Sequence, residues 1–153
     1  MTRIEQRKER KDFIYEVAQS AVEDWRDRKI CLPSLVIAIA AEGTEWGKSV
    51  QGMGEIVLFP HRHDGVRHHK TIRHAVRSHN NYLAIWREDN QEGPNWEHLI
   101  GQKHYILAVQ YLQGAEYPYS SCNSYESKLI ELIEDHKFYL YDEEEAEFIF
   151  NSR

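Results

Sequence analysis

The feature that most constrains this chain is a nine-residue run from Pro33 to Ala41 that is apolar except for Ser34. Proline suits the first turn of a helix, where its missing N–H costs nothing. A helix that is apolar on every side has to be surrounded by protein. The run therefore predicts a central, buried helix. We expect Gly43 to end it, because glycine tolerates the left-handed geometry common at helix ends.

Other stretches can supply the helices that surround it. Between Lys11 and Arg28, apolar residues recur at spacings of one, three and four, which places one apolar stripe along a helix. The same periodicity predicts a helix that begins after Thr71, with the threonine as its N-cap. It predicts two more, from His104 to Leu112 and from Tyr125 to His136.

Residues Gly52 to His69 change from helical to strand character. A β-propensive run from Glu55 to Phe59 is followed by Asp64-Gly65, a turn dipeptide, and by a second short run. This order predicts a small exposed β-hairpin. With the helices on either side, the fold class is α+β and mostly α-helical.

Length and composition limit the function. The 153 residues contain no repeat and no linker, which predicts one domain over 1–153 with an acidic tail from about residue 142. No apolar run is long enough to predict membrane insertion, and no signal peptide is visible. A net charge of -6 argues against general nucleic-acid binding. Cys31 and Cys122 fit no metal or redox motif, so we expect packed thiols.

Two carboxylates, Glu42 and Glu45, follow the apolar run directly. A helix C-terminus disfavours negative charge by about 0.3–1 kcal/mol for each acid, so this placement favours a functional role over a purely structural one. Cleavage of a glycosidic bond needs a carboxylic acid that stays protonated near neutral pH, and partial burial favours the protonated form. An acid at the rim of a buried helix fits that chemistry.

Several motifs together resemble the glucosaminidases of glycoside hydrolase family 73, which cut peptidoglycan. The motifs are Arg10-Lys11-Asp12-Phe13-Ile14, Trp46-Gly47-Lys48-Ser49, the loop from Tyr119 to Tyr125, Lys128-Leu129-Ile130 and Tyr141-Asp142. The resemblance spans most of the chain. It implies a lysozyme-like fold, a hairpin beside the substrate cleft, peptidoglycan glycan strands as the partner, and no cofactor or metal.

The resemblance also implies site residues. The family's catalytic Glu stands three residues before the Trp-Gly turn, a place that Gly43 occupies here. Glu42, one helical step of about 100° away, is the first replacement and Glu45 the second. The second carboxylate of such a site comes from the hairpin, where Glu55 ranks ahead of Asp64. A third group, Trp46, Tyr119 and Tyr125, would bind sugar rings by stacking.

Alternatives remain open beside this interpretation. Gly43 also fits a catalytically inactive relative that binds cell wall or a protein, and the sequence Ala-Ala-Glu-Gly-Thr also fits lytic-transglycosylase or muramidase activity. Six of the nine histidines lie between His61 and His79. Adjacent residues on a strand point to opposite faces, so we predict no metal site there.

The expected setting is a phage lysis or virion protein, cytoplasmic until it is released or carried on the particle, that acts at the bacterial wall. The sequence predicts no oligomeric state.

Overall fold

The computed structural model describes residues 2–48, 51–52, 55–89, 96–114, 118–144, 146 and 149–150, without the side chains of 51–52 and 85–89. Within them the chain forms five α-helices, one 3-10 helix and one pair of two-residue strands. In chain order these are α1 (Arg3–Arg28), α2 (Pro33–Thr44), β1 (Gln51–Gly52), β2 (Glu55–Ile56), α3 (Ile72–Asp89), α4 (Tyr105–Gln113), α5 (Tyr125–Asp135) and the 3-10 helix Phe138–Asp142. The mostly helical α+β fold class is confirmed.

The central helix is confirmed as well. Every residue of α2 from Pro33 to Ala41 is buried. Helices α1, α4 and α5 and the 3-10 helix all pack against it. Because the helix is apolar on all sides, it can exclude water only when it is surrounded in this way. Its C-terminal turn is therefore held at a fixed place, where the buried core meets the surface.

The N-terminus of α2 is capped by a residue from the far end of the chain. The backbone N–H of Ser34 donates to Oδ1 of Asp142 at 2.8 Å, and the Ser34 hydroxyl donates to Oδ2 at 2.5 Å. A carboxylate is favoured here, because the first N–H groups of a helix have no partner within it. Burial nevertheless raises the pKa of Asp142 to about 6.

Helix α1 begins at Arg3, before the apolar stripe that lies between Lys11 and Arg28. It is therefore longer than that stripe predicts. Thr2 caps it: the Glu5 backbone N–H donates to the Thr2 hydroxyl at 3.1 Å, and the Thr2 N–H donates to the Glu5 carboxylate at 3.2 Å. This reciprocal capping box starts the helix before any apolar stripe exists. Residues 3–12 carry no apolar stripe that could pack on the core, and they are exposed.

The prediction of a hairpin over Gly52–His69 is only partly confirmed. Strands β1 and β2 pair with each other, and beyond them a single antiparallel bridge joins Ile56 to His69. The predicted turn is present, since the Gly65 N–H donates to the Arg62 carbonyl at 3.2 Å. The ladder does not extend between the bridge and the turn. Leu58 and Phe59 are both buried although adjacent, whereas a strand with one face in solvent would bury only alternate residues.

None of the described helices combines the length and the apolar character that crossing a bilayer requires.

Candidate functional site

Glu42 lies in the last turn of α2, where the buried helix reaches the surface. Its side chain is 26% exposed, but one carboxylate oxygen, Oε2, is buried and has no hydrogen-bond partner. The nearest basic group is His61, whose Nε2 lies 3.9 Å from that oxygen. The carboxyl group therefore has one oxygen turned into the protein and Oε1 left to face the surface.

Gly43 does not end α2, so that prediction is wrong. The helix continues to Thr44, and the left-handed residues are Glu45, Trp46 and Gly47, with φ of 50°, 61° and 90°. What requires a glycine at position 43 is a close approach. A Cβ there would lie 3.0 Å from Cδ of Pro60, which is tighter than almost all real Cβ contacts.

The turn after α2 is fixed by two hydrogen bonds of one side chain. The Thr44 hydroxyl donates to the Ala40 carbonyl at 2.7 Å and accepts from the Gly47 N–H at 2.9 Å. Gly47 cannot carry a side chain, because a Cβ there would lie 2.7 Å from the ring of Phe13 on α1. This turn directs Glu45 and Trp46 to the same side of the molecule as Glu42.

A surface depression of about 460 Å³ opens at Glu42. Its size falls within the roughly 300–1,000 Å³ of small-molecule sites. The sequence-predicted residues Glu42, Glu45 and Trp46 meet in it. The remaining lining consists of Arg10, Ala41, Lys48, Lys128, Glu131, Leu132 and Asp135. The lining thus combines acids, bases and one large aromatic ring.

A second depression shares lining residues with this one. Trp46 and Lys48 also line a depression of about 410 Å³ on the side of Phe13 and Ile56. A third, of about 330 Å³, is lined by His61, His63, Tyr119, Ser120 and Ser121 and shares no lining residue with the depression at Glu42. The contact of 3.9 Å between His61 and Glu42 links these two depressions.

Trp46 stands at the border of two of these depressions and is half-buried. Its ring has the guanidinium of Arg10 over it at 5.2 Å and the edge of His136 at 4.6 Å. A guanidinium over an indole face is attracted by the ring quadrupole. Trp46 packs partly against the core and leaves the rest of its ring at the surface.

The structure does not bring Glu55 to this place. Glu55 lies on β2 with its side chain 46% exposed, 3.8 Å from Nδ1 of His68, and it lines none of the three depressions. The other hairpin acid, Asp64, forms a two-point ion pair with Arg62, at 2.8 and 2.7 Å. A catalytic role for Glu55 stays a prediction.

The two tyrosines lie beneath the surface, each only 1% exposed. The Tyr119 hydroxyl bonds to Nε2 of His79 at 2.9 Å, and its ring stacks on that of Tyr125 with the centroids 6.1 Å apart. The Tyr125 hydroxyl is buried and has no hydrogen-bond partner. Burial, and then the negative charge of Glu42, raise the pKa of Tyr125. Stacking of sugars on either ring stays a prediction.

The two cysteines differ, although both were expected to be packed thiols. Cys31 is buried, as expected, and desolvation raises its pKa. Cys122 is exposed, so that part of the prediction is wrong. Its loop leaves the core just before α5, and the Ser124 hydroxyl, 3.3 Å from the sulfur, lowers the pKa of the thiol. Lys128 lies 3.9 Å from the same sulfur.

Among the described residues, no three His, Cys, Asp or Glu side chains are grouped as a metal site would need.

Sequence reasoning missed two contributors to the site. His61 was considered only as a metal ligand, and no spacing in the chain relates it to Glu42. Lys128 was noted only as part of a helix motif. One usable signal was Gly43, because a glycine inside a helical pattern often marks the close approach of another segment. That segment is the loop of Pro60 and His61.

Comparisons with known proteins support the fold. No protein-family model matches the chain, and no curated protein matches it. Among solved structures, the chain is similar to the catalytic domain of the autolysin Auto from Listeria monocytogenes, with a TM-score of 0.68 and 18% identity, covering 92% of this chain and 98% of that one. It is also similar to an N-acetylmuramoyl-L-alanine amidase from Staphylococcus aureus, with a TM-score of 0.72 and 14% identity, covering 91% of this chain and 45% of that one. The predicted lysozyme-like fold class is confirmed by this likeness.

Proposed function

We propose that this protein is a peptidoglycan glycan-strand hydrolase of the N-acetylglucosaminidase type, with Glu42 as its acid. The observation that carries the proposal is the position of Glu42. It is a partly buried carboxylate at the end of a buried helix, at the edge of a depression of about 460 Å³. A general acid for glycoside cleavage needs this kind of setting.

The fold and the surface around Glu42 support the same substrate class. The fold is shared with the catalytic domain of an autolysin. A glycan strand is an extended polymer, and the depression at Glu42, together with the one with which it shares Trp46 and Lys48, can accommodate more than one sugar unit. Trp46 offers an aromatic surface for a sugar ring, and Arg10, Lys48 and Lys128 offer donors for its hydroxyl and carboxylate groups.

In the proposed reaction, the Glu42 carboxyl protonates the glycosidic oxygen as the bond to the anomeric carbon breaks. The resulting carboxylate then accepts a proton from the water that attacks that carbon. Glu45 lines the same depression and is the alternative acid. Glu55 is the proposed second carboxylate from the sequence, although its present position is outside the depression.

The test is digestion of purified peptidoglycan, followed by mass spectrometry of the released fragments. Wild-type protein is expected to release fragments with new N-acetylglucosamine reducing ends. Glu42→Gln is expected to lower the rate by about 100-fold or more, since general acid catalysis contributes roughly 10²–10⁴-fold. Glu45→Gln tests the alternative acid and should retain activity if Glu42 is the acid. Equal activity of Glu42→Gln and wild type would refute the assignment.

The chemical nature of the new fragment ends also distinguishes related activities from one another. N-acetylmuramic acid reducing ends would indicate a muramidase, and anhydro ends would indicate a lytic transglycosylase.

A second candidate function is binding of cell wall or a protein without cleavage. The observation that favours it is that Pro60 fills the space beside Gly43, where the family's acid would stand. Sedimentation with insoluble peptidoglycan, without release of any fragment from several wall types, would support it over hydrolysis. For either function we propose a phage lysis or virion setting, in which the protein is cytoplasmic until release or particle-associated.

A further inference from the structure

The loop after Phe59 brings a second titratable group to Glu42. Pro60 packs against the backbone of Gly43, and His61 lies beside the buried Oε2 of Glu42, with Nε2 at 3.9 Å. That oxygen has no hydrogen-bond partner. A buried acceptor without a partner is costly, so a nearby donor that can approach it is favoured to do so.

We propose that His61 is a positioning residue for Glu42, which holds Oε2 and so presents Oε1 to the glycosidic oxygen of the substrate. The inference rests on the proposed function. The contact in the free protein is longer than a hydrogen bond. Catalytic hydrogen bonds are often long before substrate binds, and they shorten in the complex.

The short distance between His61 and Glu42 excludes a role for His61 as the second catalytic group. Two catalytic groups on opposite faces of a sugar ring stand about 5–5.5 Å apart in retaining glycosidases and about 6.5–9.5 Å apart in inverting ones. At 3.9 Å from Glu42, His61 is too close to act from the opposite face. It therefore acts on the carboxyl group of Glu42 itself.

The position of His61 connects its contact with Glu42 to the binding of substrate. His61 is half-exposed and lines a depression of about 330 Å³. A glycan strand lying across Glu42 covers the imidazole and removes water from it. Removal of water strengthens the attraction between the ring N–H and the carboxylate oxygen.

The kinetic test compares three variants on soluble glycan fragments. His61→Ala is expected to lower kcat by about 10- to 100-fold with KM unchanged, which is the usual cost of a misplaced catalytic group. In His61→Gln, the amide nitrogen stands near the place of Nε2. This variant should recover most of kcat. His74→Ala, an exposed histidine on α3, is the matched control and should behave as wild type.

A second readout does not depend on activity. The ¹⁵N chemical shifts of the His61 ring are expected to change in Glu42→Gln, because an amide replaces its carboxyl neighbour. The ring of His68, whose carboxylate neighbour is Glu55 at 3.8 Å, should not change. Unchanged His61 signals would overturn the proposal.

The outcomes separate this inference from the proposed function. Loss of cleavage in Glu42→Gln with wild-type kcat in His61→Ala would overturn the role of His61 and leave the function standing. A wild-type protein that cuts no wall would overturn the function, and the ring shifts would then decide whether His61 pairs with Glu42. If His61→Ala fails to fold, His61→Gln and the ring shifts still test the contact.

Discussion

At the scale of single residues, position 43 decides how the catalytic motif is interpreted. Comparison with the glucosaminidase motif suggests that an acid is missing at position 43 and that the space around this position is open. In the structure a side chain there meets a close neighbour, because a Cβ at position 43 would lie 3.0 Å from the Pro60 ring. Glu42, one residue earlier, lines the depression and is the acid that we propose.

The first prediction concerns the family residue at this position. Gly43→Glu is expected to lower the free energy of unfolding by about 1–3 kcal/mol, the usual cost of overpacking, since its side chain has to displace Pro60. It should also fail to restore cleavage to Glu42→Gln. Urea unfolding and the fragment assay measure the two effects.

The control for this prediction removes the Pro60 ring, which the Gly43→Glu side chain has to displace. Pro60→Ala should recover part of the lost stability when combined with Gly43→Glu, so that the two changes are not additive. Strict additivity would mean that the two residues do not compete for space.

At the scale of secondary-structure elements, α2 is positioned by a cap at one end and a turn at the other. The cap is Asp142, which receives two hydrogen bonds from Ser34. The turn is held by Thr44 and by the lack of a side chain on Gly47. A shift of the helix along its axis would move Glu42 relative to His61, so both ends contribute to the geometry of the site.

The second prediction follows from the pKa of Asp142, which burial raises to about 6 from an ordinary value near 3.8. Because the folded state holds the proton more tightly, this carboxyl stabilises the fold most below about pH 4, and the contribution is lost as the pH rises to about 6. Relative to Asp142→Asn, wild type should therefore lose on the order of 2 kcal/mol of unfolding free energy over that interval.

Urea unfolding at pH 4, 5, 6 and 7 measures this difference. Glu143→Gln removes the same charge from the next residue and is the control for net charge. A difference between wild type and Asp142→Asn that is constant with pH would contradict the prediction.

At the scale of the whole molecule, a buried polar network joins the elements that surround the site. His79 on α3 is fully buried, stacks on Phe59 at 3.9 Å, and bonds to Asn80 at 3.0 Å and to Tyr119 at 2.9 Å. The Asn80 amide donates to Asp24 on α1 at 2.7 Å. The network connects α1, α3 and the loop before α5, and burial lowers the pKa of His79 to about 3.

The third prediction is the pH dependence that this network imposes. Between about pH 6.5 and pH 3, unfolded His79 binds a proton that the folded state excludes, so stability falls as the pH falls. The loss is about 1.4 kcal/mol per pH unit, opposite in sign to that of Asp142. His79→Asn should show a correspondingly smaller slope in urea unfolding. If the variant is too unstable, the His79 ring signals of wild type should still not titrate between pH 7.5 and 5.

The sequence determined most of the fold. An apolar run can be stable only inside protein, so α2 had to be central, and periodic stripes located α1 and α3 to α5. Glu42 lies in the last turn of α2 and Glu45 and Trp46 follow directly, so their common position was predictable from chain order. The hairpin was less predictable, because two adjacent buried residues, Leu58 and Phe59, are compatible with a loop as well as with a strand.

Only the tertiary structure decided what surrounds the acid. His61 is distant from Glu42 in the chain, and their contact depends on Pro60 packing against Gly43. The burial of Tyr119 and Tyr125 also depends on packing, since an aromatic side chain suits a core and a sugar site equally well. Local propensity and periodicity concern neighbours along the chain, whereas the partners of a catalytic group are set by close packing between segments that no local pattern connects.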